Sequence, residues 1–298
     1  MSNGEAEAEP AAEVADLEVK IKARDLPPEV AELRNKAAER NAKLEEVVQP
    51  RISGVIGTCR SLGRQLQEWH ASIADRTDLD LTGYSRASAI WLLSGRCLGL
   101  LEVMMVQAEA GIDNEATIVG RALHEANRIL LAFLADADDD AVVRTWLDDK
   151  GKYGYVKQGA ARAVTDRFEE KVNAAITEDG LPAPGTTRAL SEELYDRLSR
   201  TVHNRRSSCV NSVWVAGRSM AYGIAPSPLR RATTAEWTAS VAVEVTNAVG
   251  DALRAFFGAD FFISKVAPLV LEVEAVRQSL PLDEAAILEA AHLPARLR

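Results

Sequence analysis

The sequence predicts an all-α protein, a multi-helix bundle of about nine helices behind a disordered acidic N-terminal tail. Three observations lead there. Ala, Leu, Glu and Arg dominate, and aromatic residues make up only 5% of the chain, the composition of helices rather than sheets. Apolar residues recur at three- and four-residue intervals along most of the length. Glycine and proline gather at a few breaks instead of punctuating short regular runs. With 298 residues, 47% of them hydrophobic and 27% charged, the chain can bury a sizeable core.

Residues 1–26 form the tail, Glu/Ala-rich and short of large apolar groups. Residues 27–298 read as a single helical domain, with a core bundle over about 84–257 and C-terminal helices over 258–298. Pro27-Pro28 opens the first helix, because proline suits a first helical turn. That helix runs to about Val48 and stops before Pro50. Its stripe is thin (Val30, Leu33, Ala37, Leu44, Val48), which suits a solvent-facing helix or an arm on another subunit. Arg51–Ala74 is a second helix, with Ile52, Val55, Ile56, Cys59, Leu62, Leu66 and Trp69 in phase. After a loop at Asp78–Gly83, a third helix from about Tyr84 to Ala110 is apolar on most sides and reads as the central one. Gly95 and Gly99, four apart, would let another helix approach closely.

Gly111 ends that helix and Asp113 caps the next, Asn114–Leu134. Acids at Asp138–Asp140 begin a short helix carrying Val142, Val143, Trp146 and Leu147. A more polar helix spans Lys157–Thr177, and another runs from about Leu190 to His203. Residues 207–232 lack helical periodicity, and Cys209–Val215 reads as a short strand. Thr234–Phe257 is a helix capped by Thr233 or Thr234, followed by helices at about Asp260–Ser279 and Leu282–Ala291. The third, fourth and Leu190–His203 helices have broad apolar faces and belong in one bundle.

Charge is unevenly placed. The net charge is −9, yet residues 1–18 hold six acids and no base. From Arg197 to Arg231 there are seven arginines and no acid. Such asymmetry concerns partners rather than fold. Cys59, Cys97 and Cys209 are odd in number, far apart and not in a CxxC pair, which fits small reduced core residues and a cytoplasmic location. The acidic N-terminus lacks the basic and apolar parts of a signal peptide. The most apolar stretches are interrupted by Arg, Glu or Gly, so none reads as membrane-spanning.

Several standard chemistries have no motif here: no Walker loop, no GxGxxG, no HExxH, no GxSxG. No histidines pair at i,i+3 or i,i+4, so neither a metal nor a cofactor is expected. The nearest metal-like set, Glu102, Glu115, Glu125 and His203, lacks the Glu-x-x-His spacing of helical di-iron sites. Two constellations remain. Arg121, His124, Glu125 and Arg128 form the first on the fourth helix, where Arg121, Glu125 and Arg128 share one edge, an ion pair that can either close the core or hold Glu125 as a base or orienter. In the stretch Ser191–Arg206, Ser199 and His203 are i,i+4 neighbours at the edge of the buried face, with Arg200 beside them. His203 there can be a C-terminal cationic cap or an acid–base group. Arg205, Arg206 and Arg218 continue the acid-free run, where guanidinium forks suit phosphate, and Trp214 and Tyr222 could stack on bases.

Arg121-Ala-Leu-His-Glu125, followed about seventy residues later by Leu198-Ser-Arg-Thr-Val-His203, resembles a group of bacterial all-helical proteins of unknown function. These pair an Arg-x-x-x-Glu helix with a Leu-Ser-x-x-Val-His helix, and the resemblance would cover about residues 85–210. Arg197-Leu-Ser-Arg-Thr-Val-His203 is more distantly similar to the signature of HEPN ribonucleases, which serve toxin and phage-defence systems: an arginine, four to six residues, a histidine. That similarity implies RNA cleavage or binding, with His203 as acid/base, Arg197 and Arg200 on phosphate and Glu125 as orienter. Leu198 departs from it, standing where those proteins have a polar residue. On a regular helix Arg197 and His203 also lie about 120° and about 9 Å apart, so they share a site only across an irregular turn or a homodimer. The alternative is a non-catalytic interaction protein whose arginines meet an acidic partner.

Overall fold

The computed structural model describes residues 28–76, 78–81, 83–135, 141–148, 213–216, 219–222, 228–279 and 284–293, together with positions 162–164, 166, 167, 170 and 195. It is an all-α protein. Among the described residues there are eight α-helices: α1 (Pro28–Ile73), α2 (Arg86–Glu109), α3 (Asp113–Ala135), α4 (Ala141–Asp148), α5 (Pro228–Phe257), α6 (Ala259–Phe261), α7 (Ala267–Ser279) and α8 (Glu284–Ala290). A π-turn at Phe262–Val266 joins α6 to α7. One hairpin, β1 (Val213–Ala216) with β2 (Ser219–Tyr222), pairs Val213 with Tyr222 and Ala216 with Ser219. The strand expected at Cys209–Val215 thus contributes its last residues to β1. The second strand was not expected, although Gly217-Arg218, two residues with glycine first between the two runs, is a hairpin signal.

The expected break at Pro50 does not occur. α1 is one helix of 46 residues with Pro50 inside it. An internal proline removes one backbone bond and costs about 3 kcal/mol. Against that, Leu44, Val48, Ile52 and Val55 keep helical phase across the proline and are all at most 2% exposed. Each such side chain contributes about 1.5–3 kcal/mol on burial, so packing outweighs the local preference. The arm-like character expected of the first helix holds only for the exposed side chains before Leu44.

α2 is the inner helix. Ser85 starts it with a capping box: its hydroxyl accepts from Ser88 N at 3.0 Å, and Ser88 Oγ accepts from Ser85 N at 3.4 Å. By length and composition α2 is the single helix among the described residues that could cross a membrane. Half of its apolar window is buried against α1, α3 and α5, the position of a central bundle helix. Gly95 faces α1 as its small size allows, because a Cβ there would stand 3.0 Å from His70 Cε1. Gly99 instead has nothing within 4 Å, and it lies among exposed Leu92, Val103 and Val106.

Arginines mark both ends of the α1–α5 contact. Arg231 pairs with Glu45 and donates to Gln49 Oε1 at 2.7 Å. Arg76 donates to the Phe256 carbonyl and pairs with Asp78 at 2.6 Å. The order of these contacts makes α1 and α5 parallel. Gly111, at φ 74°, turns α2 into α3 under Arg231, whose Nε would be 3.4 Å from a Cβ at that glycine. α5 starts six residues earlier than its threonines suggest, because Pro228 takes the first turn. Thr233 and Thr238 are then interior residues whose hydroxyls donate to carbonyls four residues back, at 3.1 and 2.8 Å.

Two predictions follow from this packing. Gly250 on α5 touches the π-turn so closely that a Cβ would lie 2.5 Å from Val266 Cγ1. Gly250→Ala should lower stability by about 1–3 kcal/mol in urea unfolding. Gly99→Ala, in open space, should raise it by about 0.5–1 kcal/mol; a Gly250 variant as stable as wild type would contradict the close approach. His70 stacks on Trp91 with centroids 5.6 Å apart and lies 2.8 Å from the Trp91 carbonyl. Burial holds its pKa below the ordinary 6.5, and the Trp91 carbonyl only partly opposes that shift. The unfolded chain therefore takes up this proton first. Stability should be full above about pH 6.5 and fall as pH drops through that value. Melting midpoints should show this slope in wild type and a flatter one in His70→Gln.

Candidate functional site

α3 is buried on two faces. Ala116, Leu123, Leu130 and Phe133 are apolar and at most 0% exposed. Asp113, Thr117, His124 and Asn127 are also buried, at 1–2% exposure, and at 100° per residue they share an arc of about 80°. A buried polar stripe must find partners inside the protein. Thr117 meets this locally, donating to the Asp113 carbonyl at 2.7 Å.

His124 meets it across the bundle. Its Nδ1 lies 2.6 Å from Oε2 of Glu244 on α5, with the imidazole 1% and the carboxyl 28% exposed. A carboxylate only accepts, so Nδ1 carries the proton and donates. Nε2 is then the other end of the ring. It is buried and has no hydrogen-bond partner among the described residues. The same is true of Asn127 Oδ1 and, on α5, Trp237 Nε1.

Next to His124 lies Tyr195, the described residue of the Ser191–Arg206 stretch. Their rings are 5.9 Å apart and tilted by 39°. Arg121 Cζ stands 5.0 Å and Arg128 Cζ 5.3 Å from the Tyr195 ring centroid. The two arginines are seven residues apart, two helical turns on one edge, so a flat ring fits between them. Arg121 also donates to the Tyr195 hydroxyl at 3.0 Å. Its Nε donates to Glu125 Oε1 at 2.9 Å, at side-chain exposures of 14% and 31%. One aromatic ring thus meets two guanidiniums, each contact contributing about 0.5–2 kcal/mol.

Of the residues the sequence singled out, Arg121, Glu125 and Arg128 come together here. His203, Arg197, Arg200, Arg205, Arg206, Arg218 and Ser199 lie outside the described residues, as do the side chains of Trp214 and Tyr222. Arg231, last of the arginine run, is engaged by Glu45 and Gln49 on α1 rather than presented outward. Glu102 lies 3.7 Å from Arg60, and among the described residues no three His, Cys, Asp or Glu side chains converge as a metal set would. Cys59 and Cys97 are free and fully buried, which pushes both thiols up to about 12 and leaves them unreactive.

Sequence reasoning missed the His124–Glu244 pair. A signal was present: Glu244 interrupts Val241-Ala-Val-Glu-Val245, and an acid inside such a run needs a partner. The comparisons add nothing to these contacts, because no family model, curated protein or solved structure matches the chain.

The pair and the edge should differ in worth. Glu244→Ala leaves a buried imidazole without its acceptor and should cost about 1–3 kcal/mol in urea unfolding. Glu125→Ala breaks a partly exposed pair and should cost less than about 1 kcal/mol. Equal losses would show that His124 draws no stability from Glu244.

Proposed function

We propose that this chain is a HEPN-like RNA-binding and RNA-cleaving protein of the cytoplasm, of the toxin or phage-defence type. Its site is built from the edge of α3 that holds Tyr195 and from the arginines and histidine that the Ser191–Arg206 stretch carries in sequence. The observation that supports this most is the seat of Tyr195 between Arg121 and Arg128. Tyr195 belongs in sequence to the stretch that carries Arg197, Arg200 and His203, and its ring and hydroxyl meet the edge of α3 that carries Glu125. Tyr195 is two residues before Arg197 in the chain. His203 is the acid–base group, Arg197 and Arg200 bind the scissile phosphate, and Glu125 orients. Arg205, Arg206 and Arg218 hold neighbouring phosphates, which bidentate guanidiniums suit.

A second reading is a non-catalytic helical interaction protein that meets an acidic partner through its arginines. It is favoured by the engagement of Arg121 with both Glu125 and Tyr195, the arrangement a structural cross-brace needs. The two readings separate in one experiment. Wild type should cleave labelled single-stranded RNA, and His203→Ala should be slower by about 10²–10⁴-fold. RNA affinity should fall steeply with salt, since each arginine–phosphate contact releases a counterion. No cleavage by wild type, or equal cleavage by both proteins, leaves the interaction protein as the answer.

A further inference from the structure

α2 carries an exposed seam on its outer side. Leu92, Arg96, Gly99, Val103, Val106 and Ala110 are all exposed. They follow one another at alternating intervals of four and three residues, the 3.5-residue repeat with which one helix meets another. Leu92, Val103 and Val106 are 49%, 46% and 51% exposed, and Ile118 on α3 is 45% exposed. The turn at Ala110–Ile112 folds α3 back along α2, so Ile118 is level with Val103 and Val106. Large apolar side chains gathered on one outer face mark an interaction surface.

Polar groups on this face are unmatched in a complementary way. Arg96, the one cation of the seam, forms no ion pair or side-chain hydrogen bond among the described residues. Gln107 near the end of α2 and Glu115 in the first turn of α3 are level with each other across the turn. Gln107 Oε1 and Glu115 Oε2 are buried, and neither has a hydrogen-bond partner among the described residues. Acceptors in that state call for a donor, and a carboxylate calls for a cation. At 100° per residue Arg96, Val103 and Gln107 lie within about 40° of one another. Glu102 and Glu109 occupy the opposite edge of α2, where both face Arg60 of α1. Arg96 and Gln107 are therefore on the edge toward α3.

We propose that this face binds a second copy of the chain, α2 antiparallel on α2, with Arg96 of each copy reaching Gln107 and Glu115 of the other. A two-fold axis crossing the seam between Gly99 and Val103 gives that register. It sets Leu92 against Ala110, Gly99 against Val103 and Arg96 against Val106, each longer side chain facing a smaller one. The same axis lays the α3 edge of one copy along the α3 edge of the other. Arg96 then stands one residue from Gln107 and, across the turn, beside Glu115. A parallel pairing would set Arg96 on Arg96, like charges in a closing seam. Hydrocarbon would give the arginine no acceptor and the two orphaned oxygens no donor. The face formed by α2 and α3 is about 35 Å long and about 20 Å wide. That is about 700 Å² per copy, close to the roughly 800 Å² per partner of a stable association. The contact is separate from the ribonuclease reading above.

The test is sedimentation equilibrium of the full chain, with circular dichroism to establish that each variant is folded. Wild type should be a dimer at about 100 µM. Val103→Glu places an acid at the centre of the seam and should be monomeric at that concentration. Arg96→Glu and Glu115→Arg each bring like charges together and should dissociate at least about tenfold more readily than wild type. An equal mixture of these two should associate as tightly as wild type. In the mixed dimer the new acid meets the new base, and the remaining Arg96 meets the remaining Glu115. A wild type that stays monomeric, whether free or bound to phosphatidylcholine vesicles, overturns the proposal. So does a dimer that Val103→Glu and Arg96→Glu leave unchanged, or a mixture no more associated than its components. Should Glu115→Arg fail to fold, Val103→Glu and Arg96→Glu decide, and a dimer as tight as wild type in either overturns the proposal.

Discussion

An imidazole sealed from water must find an acceptor inside the protein, and the middle of this bundle is arranged around that requirement. His124 on α3 and Glu244 on α5 are 2.6 Å apart. The two helices are far apart in sequence and pack against each other in the bundle. Apolar contacts tolerate sliding by a turn, whereas one donor facing one acceptor does not. The pair therefore sets the register of α3 on α5. Above it, Arg121 and Arg128 are left on the edge of α3 at a separation that receives the Tyr195 ring.

The helical architecture was legible because it depends on periodicity, which survives in every segment that faces a core. Val48, Ile52, Val55 and Ile56 announce a buried stripe whatever lies between them. What misled was local: Pro50 marks a stop in a short-range reading, and only the partner helices reveal that the stripe on both sides belongs to one surface. The start of α5 was obscured for a related reason. Thr233 and Thr234 look like caps until Pro228 begins the helix and the Thr233 hydroxyl turns back to the Leu229 carbonyl.

The candidate site was half legible. The i,i+4 pairing of Arg121 with Glu125 follows from spacing alone. His124 was in view, but its partner comes from a residue 120 positions away, and no short-range rule connects them. Glu244 could have been suspected as an acid in a valine- and alanine-rich run, though not assigned to His124. Arg231 is the opposite case. Its place in an acid-free stretch suggested outward charge, yet Glu45 and Gln49 stand beside it in space.

The arginine contacts at the two ends of α5 bear on the order in which the chain can fold. Arg231 reaches back 186 positions to Glu45, and Arg76 reaches forward 180 positions to Phe256. α1, α2 and α3 emerge from the ribosome with their α5-facing surfaces uncovered, and those surfaces stay uncovered until the 184 residues from the end of α1 at Ile73 to the end of α5 at Phe257 have followed. Contacts of such long sequence separation close slowly. During that interval the nascent chain presents an apolar groove of the kind that chaperones shield. Completion of α5 is thus the event that turns a set of tethered helices into a protein.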